Sequence, residues 1–84
     1  MGFHKAQISK GTYGQLSKVR EELEEAEDAE AQGENLMLQI ELSDMIGAIR
    51  GVAETHGWNF DDLVKFSELR SRVAREEKCG NSGK

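Results

Sequence analysis

The chain has 84 residues, no proline and one cysteine, Cys79; at this length it holds one domain at most and buries only a modest core of its own. Hydrophobic residues make up 37% and charged residues 32%, a balance that, without proline, suits uninterrupted helices better than a loop-rich fold. A net charge of −5 removes the general attraction to nucleic-acid polymers, and the lone cysteine excludes an internal disulfide or a multi-cysteine zinc site.

Residues 1–11 show no sustained periodicity and read as an arm that a partner surface or substrate orders. The segment MGFHKAQISKG lacks the apolar run of a signal peptide, and no stretch approaches the roughly 20 apolar residues of a membrane span. The expectation is a soluble protein of the reducing cytoplasm with no membrane partner.

The first helix opens at Thr12, which has the spacing of a capping box with Gln15, and runs to about Gln32 before Gly33. Gly14 in its first turn weakens that boundary. Leu16, Val19, Leu23 and Ala26 recur at three- and four-residue intervals and predict a packing stripe. The second helix covers Asn35 to His56, with Gly57 as a left-handed stop. Leu38, Leu42, Met45, Ile49 and Val52 form its main stripe, and Leu36, Met37, Ile40, Ile46, Ala48 and Ala53 widen the apolar surface nearly all round, as in the middle of a bundle. Gly47 and Gly51 predict a close approach by another helix backbone. The third helix is capped by Asn59, carries Asp61 and Asp62 at its positive end, and runs to about Glu77. Trp58 and Leu63 have the spacing of a hydrophobic staple, and Phe60, Leu63, Val64, Phe66, Leu69 and Val73 supply packing. The fold class is therefore all-α: an antiparallel bundle of three main helices, one domain over residues 1–78 and a flexible tail over 79–84, completed by oligomerisation.

Two acidic clusters stand apart from ordinary solvated charge. Glu22 and Glu25, and Glu41 and Asp44, are pairs three residues apart, so each pair leaves one side of its helix. Glu41 falls between Met45 and Ala48 on a helical wheel, and Asp44 between Met37 and Ile40, beside apolar surface where a lone carboxylate is expensive. A divalent cation relieves that penalty, and hard oxygens at this spacing suit magnesium, which keeps waters and accepts phosphate oxygens. Glu24, Glu27, Asp28 and Glu30 read as a solvated face.

The run Lys18-x-x-Glu21-Glu22-x-x-Glu25-x-x-x-Ala29, followed by Glu41-x-x-Asp44, resembles the EExxE, spacer, ExxD signature of the MazG-like all-alpha nucleoside triphosphate pyrophosphohydrolases, over about Leu16 to Ile49. The resemblance implies cleavage between the alpha and beta phosphates, giving monophosphate and pyrophosphate. Glu22, Glu25, Glu41 and Asp44 would be the magnesium ligands, with manganese able to substitute. Glu21 is the candidate catalytic residue, with two roles open: orienting the attacking water or bracing the ligands. The family occurs in bacteria and phages, which for a phage protein means the host cytoplasm, and assembles as homodimers or homotetramers around a nucleotide substrate. The departure is in the third helix, where an Asn-x-x-Lys-like substrate motif gives way to Ser67-Glu68-Leu69-Arg70 with Lys65 nearby. Lys65, Arg70 and Arg72 are candidate phosphate contacts, and the arm, with His4, Lys5, Gln7 and Lys10, is another source.

Bland readings stand beside these. Lys18 is either a phosphate contact or half of a helix-surface pair with Glu22. Trp58 and Tyr13 are explained by packing more simply than by base stacking, and His4 and His56 lack metal-ligand spacing. Two further functions compete: a relative acting on phosphoribosyl-ATP or another phosphoanhydride, and a non-catalytic helical interaction or regulatory module of phage or bacterial origin using its acidic surface on a protein.

Overall fold

The computed structural model describes residues 7–82, from residue 78 onward for the backbone only. It is all-helical: α1 is Leu16–Ala31, α2 is Asn35–Thr55 and α3 is Phe60–Ser82, with no strand among the described residues. None of the helices is long and apolar enough to cross a membrane.

The helix ends follow local chemistry. Gly33 and Gly57 both adopt positive φ, 72° and 76°. After α1 the Gly33 N–H donates to Glu30 O and the Glu34 N–H to Ala29 O; after α2 the Gly57 N–H donates to Glu54 O and the Trp58 N–H to Ala53 O. Each is a Schellman closure that satisfies the last carbonyls of its helix. At the head of α3 the Asp62 N–H donates to Asn59 Oδ1 at 3.0 Å, the expected cap.

The expected start of α1 at Thr12 is corrected to Leu16. Gly14 has φ 90°, so the chain cannot be helical there; the Gln15 N–H donates to Thr12 O in a turn, and Gln15 caps with extended backbone and no side-chain bond. The far end of α3 is corrected from Glu77 to Ser82. Gly80 takes no left-handed conformation and nothing else between Glu77 and Ser82 enforces a stop, so the backbone of the expected tail continues the helix. Residues 83 and 84 lie outside the described residues.

α1 and α2 run in opposite directions side by side, joined by three residues, with the start of α1 against the end of α2: Tyr13 Oη donates to Glu54 Oε1 at 3.3 Å. Their seam is made of small side chains. Ala26, Ala29 and Ala48 are buried, as are Gly51 and Ala53, and no large side chain among the described residues is fully enclosed. The expected stripes divide. On α1 Ala26 is buried and Val19 half-buried while Leu16 and Leu23 are exposed. On α2 Leu38, Met45, Ile49 and Val52 are half-buried while Leu42 is exposed, as are Leu36, Ile40 and Ile46. The face of α1 turned to α2 is the one bearing Glu22, Ala26 and Ala29, because alanines let the two backbones come close where leucines would hold them apart. The close approach predicted for the glycines is also different in kind. Gly51 lies under the Tyr13 ring, where a Cβ would sit 2.7 Å from a ring carbon, and Gly47 faces open space within the chain.

α3 meets α2 but, among the described residues, makes no contact with α1. The Arg50 guanidinium lies 4.3 Å above the Phe60 ring, while Val64, Phe66, Leu69 and Val73 are exposed. Trp58 lies in the connection and stacks on His56 at 4.4 Å, sharing an open groove with Leu63 and Phe66. The radius of gyration, 15.9 Å, exceeds the roughly 12 Å of a compact chain of this length.

Candidate metal centre

The alanine seam also carries acid. Glu22 precedes Ala26 by one turn, and Glu41 precedes Ala48 by two, so the geometry that buries the alanines draws both carboxylates between the helices. Glu22 is 4% exposed and Glu41 3%, and Glu21 beside them is 4% exposed. Glu25 is half-buried and Asp44 exposed, which leaves one side of the cluster open to solvent.

Carboxylate oxygens of Glu22, Glu41 and Asp44 lie within 4.8 Å of one another, and so do those of Glu21, Glu22 and Glu25. Glu22 belongs to both groups. It therefore joins the four expected ligands and the candidate catalytic carboxylate into one centre drawn from α1 and α2.

The electrostatics of the two adjacent glutamates on α1 differ. Burial pushes the Glu22 carboxyl up to about 7, reinforced by a hydrogen bond to Glu25, the Glu25 charge and the Asp44 charge, against a smaller opposing pull from Lys18. Glu21 is held below the usual carboxylate range. The Gly11 N–H donates to its Oε1 at 2.8 Å, which outweighs burial, and Lys18 and the Lys10 charge help. A proton in this centre thus resides on Glu22 rather than on Glu21.

The expected phosphate contacts divide. Lys18 lies in the centre, its Nζ 3.2 Å from Glu21 Oε1 and 4.0 Å from Glu22 Oε1, so it pairs with both neighbours. Lys65, Arg70 and Arg72 are exposed on α3, which does not touch α1, and among the described residues they form no ion pair with the cluster. His4 and Lys5 lie outside the described residues; residues 7–11 have no regular structure and end against α1 through Gly11. The Gly11 amide has no counterpart in a motif of side chains, and only the glycine itself marks a place where backbone comes close.

Comparison with protein-family models, curated proteins and solved structures finds no match to this chain.

Proposed function

We propose that this chain is a magnesium-dependent nucleoside triphosphate pyrophosphohydrolase of the MazG-like kind, cleaving between the alpha and beta phosphates. The observation that supports it most is the meeting of Glu22, Glu41 and Asp44 across two helices, with Glu25 joined through Glu22. Four carboxylates in one partly buried cluster are a poor arrangement for stability and a good one for a hard divalent cation. The donor set fits magnesium: oxygen only, with exposed Asp44 marking the side by which water and phosphate enter.

Glu22, Glu25, Glu41 and Asp44 would hold the ion. Bound there, magnesium supplies charge neutralisation on the phosphate oxygens and makes phosphorus more open to attack by water. The remaining tasks fall to the chain. Glu21, kept ionised by the Gly11 amide and Lys18, is a fixed acceptor able to orient a water by hydrogen bonding. Lys18 is held at the edge of the cluster, from which its ammonium can turn toward an arriving phosphate. Release of Glu22's proton accompanies cation binding.

Assembly into a dimer or tetramer belongs to the same reading. The extended shape and the exposed Leu36, Leu42, Ile46, Phe66, Leu69 and Val73 support self-association into an antiparallel bundle, and it is there that Lys65 and Arg70 of α3 would approach an acidic centre.

The test is incubation with a panel of ordinary, modified and signalling nucleotides, phosphoribosyl-ATP included, in magnesium or manganese, with product identification. At least one should yield monophosphate and pyrophosphate. If none is cleaved or bound, the hydrolase reading is wrong. A second reading, a non-catalytic helical interaction module, is favoured by the exposed apolar side of α3 alone. It predicts a melting temperature indifferent to divalent cations, whereas a cation that binds only the folded state raises it.

A further inference from the structure

We propose that Gly11 is a positioning residue of the acidic centre: its amide latches the N-terminal arm onto α1 and sets Lys10 beside Glu21 as a contact for substrate phosphates. The inference rests on the hydrolase reading and adds a residue and a role to it.

Gly11 is packed where no other residue fits. A Cβ there would run into the carbonyl of Ser17 and the backbone nitrogen of Lys18, and helix backbone cannot move aside. The closeness lets its N–H reach Glu21 Oε1 at 2.8 Å. The segment that follows is fixed at further points. The Thr12 N–H donates to Ser17 Oγ at 3.1 Å, and the Tyr13 ring covers Gly51 while its hydroxyl donates to Glu54. Gly14, at φ 90°, then turns the chain into α1. Residues 11–14 are thus an elbow held by both helices of the hairpin. Its first residue, Gly11, lies at the level of Glu21, with Lys10 next to it in the chain.

Lys10 is consequently near enough for its charge to act on Glu21, yet it is exposed and forms no ion pair among the described residues. Lys18, by contrast, is engaged by two carboxylates. A polyphosphate approaching five clustered acids needs uncommitted positive charge besides the cation. Within one chain Lys65 and Arg70 are on a helix that does not touch α1, which leaves the latched arm as the nearer source.

The test uses the whole protein and inorganic triphosphate in excess magnesium, with binding measured by calorimetry and magnesium alone titrated in parallel. Lys10→Ala and Gly11→Ala should each weaken triphosphate binding by about tenfold, the loss of one charged contact. The double variant should lose no more than either single one, and Lys10→Arg should retain binding. Affinity for magnesium alone should not fall in any of them, since neither residue is a ligand and loss of the Lys10 charge acts only in the cation's favour. Ser17→Ala, which removes the Thr12 anchor without a clash, should produce a smaller loss in the same direction and serves if Gly11→Ala does not fold. Wild-type triphosphate affinity in Gly11→Ala, additive losses in the double variant, or a parallel loss of magnesium binding would each overturn the latch while leaving the hydrolase reading intact. If the wild-type protein binds neither magnesium nor triphosphate, the hydrolase reading falls and the latch with it.

Discussion

The α1–α2 hairpin and α3 are all helix, yet they use their side chains differently. The hairpin closes on a seam of alanine and glycine, and the same close approach forces Glu22 and Glu41 inside. α3 is well capped and has its own apolar side, yet among the described residues it touches only α2 and leaves Phe66, Leu69 and Val73 uncovered. The difference is between a region that gives up stability to hold charge in its interior and one whose apolar surface is unused within the chain. Destabilised, buried acid is what a functional centre looks like, and unused apolar surface is what an interface looks like.

The comparison breaks most sharply at Glu41. Replacing it with glutamine should lower pyrophosphate release by at least about 10³-fold, on the order of 4 kcal/mol in the barrier. The glutamine, close in size and shape, should leave the helical fold intact, as read by circular dichroism. No change on α3 should separate activity from stability in that way.

The pH dependence of the metal-free protein comes next. Glu22 keeps its proton up to about 7 when folded but loses it near the ordinary carboxylate value of 4.5 when unfolded. Between those values the native state binds more protons, so its stability falls as pH rises through the window, by at most on the order of 3 kcal/mol. Urea unfolding in a chelator from pH 4.5 to 8 should show the decline. Glu22→Gln should flatten it, and apparent magnesium affinity should climb over the same range as the proton is displaced.

Packing provides a smaller contrast. Ala48→Leu forces a large side chain into the seam and should cost about 1–3 kcal/mol by thermal melting. Leu69→Ala, on the uncovered side of α3, should leave the dilute monomer unaffected and lower the sedimentation coefficient at high concentration. The smallest effect belongs to the cap: Asn59→Ala should cost about 1 kcal/mol, read as lost protection of the first α3 amides in hydrogen exchange, with the hairpin unchanged.

Much of the fold was legible where one residue type has one structural use. Gly33 and Gly57 ended their helices and Asn59 capped the third, because left-handed backbone and an exposed N–H select those residues almost alone. The start of α1 was misread because Thr12 and Gln15 have capping spacing, and only the backbone of Gly14 reveals a turn. The packing stripes were legible only in part. Apolar periodicity pointed to Ala26, which is buried, and to Leu38, Met45, Ile49 and Val52, which are half-buried. It pointed equally to Leu16, Leu23 and Leu42, which are exposed, because the seam is set by small size on one face, a property that hydrophobic patterning ranks low. Of the centre, the spacing of Glu22, Glu25, Glu41 and Asp44 was readable from the chain. The burial of Glu21 and its bond to the Gly11 amide were not, since a main-chain donor has no letter of its own.

The most direct test is anomalous scattering from a crystal soaked in manganese. A peak should stand between α1 and α2 within bonding distance of Glu22, Glu41 and Asp44, and it should vanish in Glu41→Gln. A map with manganese elsewhere, or none at that seam at millimolar concentration, would contradict the claim that these carboxylates are gathered to hold a cation.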